Sequence, residues 1–151
     1  MSEQSNILAR KIAEHMLASE GTGKAWEIVI EEARVGYSRL SMTLRADMTN
    51  GHGTAHGGMI FALADTAFAY ACNSRNQTAV AASASIIYLA PAREGDTLIA
   101  EASENAISGR SGAYSVVVRT VDGRAIAQFQ GQSRVVDGPV IDTDIKENEN
   151  G

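Results

Sequence analysis

The sequence predicts an α+β domain in which a curved antiparallel sheet wraps around one long central helix. Three observations lead there. Residues 57–75 are apolar almost all round, which marks a buried helix. Four segments of strand character follow in succession, which argues for antiparallel pairing. The length, 151 residues, suits one domain. A sheet with its helices on one open face satisfies the same pattern.

Residues 5–18 read as an amphipathic helix, with Ile7, Leu8, Ile12 and Met16 at helical spacing and Arg10, Lys11 and Glu14 between them. Gly21 and Gly23 should break it. A strand is expected over 26–34 (Trp26, Ile28, Val29, Ile30). A half-buried strand follows over 37–45, where Leu40, Met42 and Leu44 alternate with polar residues, after a turn at Gly36. Residues 47–56 are polar and glycine-rich, a loop. The helix over 57–75 has no proline and is rich in alanine, and apart from Asp65 charge returns only at Arg75. Strands are then expected over 79–90, stopped by Pro91, and over 97–107 after a turn at Glu94–Asp96. Two more, 113–121 and 124–136, are joined by Asp122-Gly123, a hairpin signal. The expected organisation is an N-terminal helix over 1–20, the main domain over 21–137 and a mobile acidic tail over 138–151.

Abundant alanine and glycine with few aromatic residues point to close backbone packing. The formal charge of −5 and the lack of a basic cluster argue against a nucleic-acid partner. The single cysteine, Cys72, excludes an intrachain disulfide and suits a reducing compartment. Residues 1–19 lack the apolar run of a signal peptide, and no segment nears the roughly 20 apolar residues of a membrane span. A cytoplasmic protein with no membrane partner is expected.

The chemistry concentrates between Asn50 and Ala67. Gly57 and Gly58 open the long helix, where the first N–H groups lack an intrahelical partner and glycine lets a ligand come close. Such donors at a positive helix end suit a developing oxyanion; close helix–sheet packing is the other use of two glycines. Asp65 is a lone carboxylate in an apolar helix, which calls for a partner or a purpose. A structural hydrogen bond from a neighbouring strand would also satisfy it. Gly57 and Asp65 are eight residues apart, about 12 Å along a helix. One carbonyl carbon cannot meet both groups of one chain. If both serve one site, Gly57 of one subunit must meet Asp65 of another, and two antiparallel helices about a two-fold axis would form two such sites.

His56-Gly57-Gly58, followed by Leu63-Ala64-Asp65-Thr66-Ala67-Phe68-Ala69-Tyr70-Ala71-Cys72-Asn73, resembles the phenylacetate-degradation thioesterases (the PaaI group) of the hotdog superfamily. The resemblance runs from about Trp26 to Val136 and includes Tyr88-Leu89-Ala90-Pro91-Ala92 and Gly95-Asp96-Thr97-Leu98. It implies a hotdog fold and hydrolysis of an acyl-CoA, with an aryl-acetyl or hydroxylated phenylacetyl group leading. Gly57 would supply the N–H that polarises the thioester carbonyl, and Asp65 would be nucleophile or general base. Asn50 would help hold that region of the substrate, His56 would sit beside the carbonyl and order the loop, and Thr66 would orient Asp65 or the water. Some relatives add a serine or threonine from the strand after the helix; here Ser83 and Ser85 are both available. A homodimer with shared sites follows from the Gly57–Asp65 spacing, and a homotetramer built from it is expected.

Arg93, and the turn Gly109-Arg110-Ser111-Gly112, combine arginine with turn N–H groups, which suits the phosphates of CoA. A solvated hairpin turn is the plainer use of such residues. No cofactor beyond the CoA substrate is implied. His52 and His56 lie four apart but in a glycine loop with no third ligand, so no metal is expected. Cys72 reads as a small core residue, His15 as surface, and Trp26 and Phe129 as core. A hotdog dehydratase or hydratase, and a non-catalytic acyl-CoA-binding domain, are the competing functions.

Overall fold

The computed structural model describes residues 2–143. Helix α1 (Glu3–Ser19) starts where Ser2 Oγ accepts the Ser5 N–H, a side-chain cap. A second, short helix α2 (Gly21–Ala25) follows, where a simple break was expected. A Cβ on Gly23 would lie 2.3 Å from Leu17 Cδ1, so glycine lets α2 fold back against α1. Strand β1 (Val29–Arg34) begins three residues later than the pattern suggested, because Trp26 ends α2 and Glu27 takes a positive φ of 53°. Strand β2 (Tyr37–Thr43), a 3-10 turn over Ala46–Met48 and the long helix α3 (Gly57–Cys72) come next. Four strands complete the domain: β3 (Ala79–Tyr88), β4 (Thr97–Ser108), β5 (Ser111–Thr120) and β6 (Ala125–Val135).

The sheet has the order β1-β2-β4-β5-β6-β3, and every pair is antiparallel. Strand β2 lies near one edge and β3 forms the other, so α3, which joins them, crosses the whole sheet. All six strands touch it, which is the wrapped arrangement and not the open-faced one. The alanine content has its reason here. Ala64, Ala67 and Ala71 of α3 are wholly buried with Ala100 and Ala102 of β4. At Gly131 of β6 an added Cβ would lie 2.9 Å from Phe68 Cζ. Phe68 meets Tyr114 edge-on at 5.4 Å between ring centroids and Phe129 at 5.7 Å.

Two polar clamps fix α3 to the sheet. Ser38 Oγ of β2 donates to Ala67 O at 2.7 Å. Asn73 Nδ2 donates to Ala69 O and Ala79 O at 2.8 and 3.2 Å, while its Oδ1 accepts the Ala79 N–H at 2.9 Å. By capturing Ala69 O, Asn73 ends the helix three residues before the predicted Arg75. Asn73→Ala would leave the buried Ala79 N–H without an acceptor. A loss of about 2–3 kcal/mol is expected, read from the urea unfolding midpoint.

The N-terminal helix is not a separate unit. Ile12 is wholly buried, Asn6 Oδ1 accepts the Val35 N–H at 3.0 Å, and Arg10 reaches Ile30 O at 3.4 Å. The tail expected to be mobile from 138 onward is fastened through Ile141. Thr78 N–H donates to Gly138 O at 3.0 Å. Asn76 Oδ1 accepts the Val140 and Ile141 N–H groups at 3.0 and 2.9 Å. The remainder of that tail, 144–151, lies outside the described residues. Among the described residues no helix is long and apolar enough to cross a membrane.

Candidate active site

Helix α3 begins at Gly57 because His56 caps it. His56 has extended backbone (φ −62°, ψ 132°), and its Nδ1 accepts the Gly58 N–H at 2.9 Å. An accepting Nδ1 leaves the proton of the neutral ring on Nε2. The approach loop is built by Asn50. Its Oδ1 accepts the N–H groups of His52 (2.9 Å) and Thr54 (3.2 Å), its Nδ2 donates to Thr54 Oγ1 (3.0 Å), and Gly53 closes the turn at φ +78°. His56 N–H donates to Met48 O at 2.9 Å. The Gly57 N–H is left with no acceptor among the described residues. It opens on a surface cavity of about 380 Å³ bordered by Asn50, Ile60, Tyr88 and Pro91. The structure thus makes Asn50 and His56 the organisers of the loop and helix start that present Gly57.

Asp65 lies two turns further along α3. It is half-buried, and no side chain or backbone group among the described residues bonds to its carboxylate. Burial alone raises its carboxyl above the ordinary aspartate value, since no cation faces it. The titratable groups within its field are Glu20, at the junction of α1 and α2, and Cys72. Burial pushes the Cys72 thiol up to about 12, which fits a packing role and not a nucleophile. Phe61, one turn before Asp65 on the same helix face, packs edge-on against Phe129 of β6 at 5.4 Å. That face therefore looks toward β6 and the β3 edge.

Thr66 does not touch Asp65. Its hydroxyl donates back to Ala62 O at 2.7 Å, the helix-internal bond open to a threonine. Neither serine of β3 reaches the helix. Ser83 and Ser85 stand opposite Gln132 and Gln130 of β6, on the outer face, while Phe129 and Gly131 face the core. An irregularity at Ala82 shifts the alternation there.

The residues considered for CoA phosphates fall into two groups. Arg93 bridges to Thr54, beside the helix start. Gly109, Arg110, Ser111 and Gly112 form and flank the β4–β5 turn, where they line a small cavity with Cys72 and Arg75 at the far end of α3. The two groups are separated by the length of the helix, 16 residues or about 24 Å. Among the described residues no three His, Cys, Asp or Glu side chains cluster as a metal site. Sequence reasoning attached no role to Tyr88, whose hydroxyl donates to Gly57 O at 2.7 Å.

The family model of the thioesterase superfamily matches residues 52–127, which hold both Gly57 and Asp65. The chain is 38% identical over 128 residues to the acyl-coenzyme A thioesterase PaaI of Escherichia coli K12, covering 85% of this chain and 91% of that protein. The structure of the E. coli PaaI protein from the phenylacetic acid degradation operon superposes with a TM-score of 0.87 at 37% identity, covering 89% of this chain and 97% of that one. A mutant form of the phenylacetic acid degradation protein PaaI from Thermus thermophilus superposes with a TM-score of 0.74 at 35% identity, over 78% of this chain and all of that one. The chain belongs to the thioesterase superfamily, within the PaaI group of hotdog-fold enzymes.

Proposed function

We propose that this protein hydrolyses an acyl-CoA thioester to a carboxylic acid and free CoA, with an aryl-acetyl or hydroxylated phenylacetyl group as the acyl portion. The observation that carries the reading is the pair of unpartnered groups on α3, the Gly57 N–H and the Asp65 carboxylate. The PaaI likeness, which spans most of the chain, adds the substrate class. The Gly57 N–H, at the positive end of α3, stabilises the oxyanion as the carbonyl carbon becomes tetrahedral. Asp65 takes the proton of the attacking water, or attacks the carbonyl carbon itself to form an acyl anhydride that water hydrolyses to the acid and free Asp65 once CoA has left. Collapse of the intermediate breaks the C–S bond and releases CoA thiolate, which regains a proton. Thr66 Oγ, its own proton held by Ala62 O, can accept a hydrogen bond from the water.

The two groups meet only across a dimer. Strand β3 supplies the surface. It is the sheet's last strand, with one side unpaired, and Val80, Ile87, Tyr88 and Leu89 are each about half exposed along it and just beyond. No charge or proline blunts it before Pro91. Antiparallel pairing of two β3 strands about a two-fold axis would set the α3 helices antiparallel. The Asp65 face of one helix would then look toward the Gly57 end of the other. The same operation brings the partner's Arg110 turn toward Arg93, which assembles one CoA-binding surface from two chains.

The test is release of free thiol from a panel of acyl-CoA substrates, with double-bond formation from a hydroxyacyl-CoA measured beside it. Hydrolysis of aryl-acetyl-CoA is expected. Dehydration, or binding without turnover, would overturn the proposal. A pH dependence follows from the buried carboxylate. Asp65 must be ionised to act, so kcat/KM should fall as the pH drops through a pKa raised above 3.8. An acid limb at or below 3.8 would contradict that assignment.

A further inference from the structure

Tyr88 is the last residue of β3, 31 positions from Gly57 in the chain. Its hydroxyl donates to the Gly57 carbonyl at 2.7 Å. That carbonyl belongs to the Gly57–Gly58 peptide, and the N–H of the same peptide donates to His56 Nδ1 at 2.9 Å. One peptide unit, the one following the free Gly57 N–H, is thus held at both ends by side chains. The contact is close. A Cβ on Gly57 would lie 3.0 Å from Tyr88 Oη and 3.1 Å from Cζ, so any side chain there would have to push the phenol away by a few tenths of an ångström.

Two successive glycines have more backbone freedom than any other pair, and the first N–H groups of a helix lack the intrahelical acceptors that would restrain them. An oxyanion donor is useful in proportion to how well it is aimed before the substrate arrives. We infer that Tyr88 is a positioning residue: its hydroxyl, with His56 Nδ1, clamps the Gly57–Gly58 peptide and so aims the Gly57 N–H at the thioester oxygen. The inference rests on the assignment of Gly57 as oxyanion donor. The Tyr88 ring also borders the cavity, but a phenylalanine would cover that surface equally; only the hydroxyl reaches the peptide.

Tyr88→Phe, made in the full chain, separates the two contributions. With phenylacetyl-CoA, kcat should fall about 10-fold while KM changes less than about 3-fold, because the lost interaction aims a transition-state contact. The melting temperature should stay within about 2 °C, since the ring and its packing remain. Amide hydrogen exchange at Gly58, whose N–H belongs to the clamped peptide, should quicken in the variant when followed by NMR. Unchanged exchange would overturn the clamp whether or not the protein is active. Quickened exchange with kcat intact, or a raised KM alone, would overturn the aiming role. A wild-type protein inert on every acyl-CoA would instead sink the hydrolase assignment, and the exchange measurement would still decide the clamp.

Discussion

Asp65→Asn is expected to reduce kcat for thioester hydrolysis by about 10³-fold or more, whether the carboxylate acts as base or as nucleophile. The amide has nearly the same shape, so the helix face and the cavity keep their form, but it neither takes a proton from water nor attacks a carbonyl carbon. The fold should not suffer. Burial raises the Asp65 carboxyl in the folded chain, so folding favours the protonated form. The ionised group therefore costs stability at neutral pH, and that cost is relieved as the pH falls through the raised pKa toward the unfolded value. A neutral amide removes it at every pH. The melting temperature should be unchanged or higher, and CoA affinity preserved. Calorimetric melting, CoA titration and steady-state thiol release check the three parts. A variant with kcat within 10-fold of wild type would remove Asp65 from the mechanism.

Gly57→Pro should lower kcat by about 10²–10³-fold by deleting the donor itself. Proline fits this first helical position, where its missing N–H is one of those the helix leaves over. His56 already has the extended backbone (ψ 132°) that a residue before proline requires. The complication is the Cβ, which must move the Tyr88 phenol by a few tenths of an ångström. Gly57→Ala is the matched control, since it adds the same Cβ and keeps the N–H. If the donor matters, Gly57→Ala should lose far less than Gly57→Pro. Equal losses would assign the effect to crowding against Tyr88.

The long helix and the hairpins were legible because each rests on local chemistry: an apolar run without breakers for α3, Asp122-Gly123 between β5 and β6. What escaped depends on contacts distant in sequence. Gly21 and Gly23 look like a stop, but the Leu17 side chain makes Gly23 the seat of α2. The tail looked free because nothing near it in sequence shows that Asn76 binds Val140 and Ile141. In the site, Gly57 and Asp65 stood out as the unusual groups of an apolar helix. Thr66 was expected to orient Asp65 or the water; its hydroxyl proton goes to Ala62 O, which leaves its oxygen to the water and not to Asp65. Ser83 and Ser85 alternate correctly for an inward serine only until the irregularity at Ala82 puts both outside. Tyr88 gave no sign, because an apolar strand end is where an aromatic residue is ordinary and its partner lies 31 residues away.

The shared site is tested most directly by mixing the two inactive chains. In a hybrid of an Asp65→Asn chain with a Gly57→Pro chain, one site combines the Gly57 of the first with the Asp65 of the second and is wholly native; the other site carries both defects. Hybrids isolated by two affinity tags should recover about half of the wild-type turnover per dimer, one of two equivalent sites being intact. If Gly57 and Asp65 of the same chain formed a site, every site in the hybrid would carry one defect. Verified hybrids with no activity above that of the parent variants would contradict a site built from two chains.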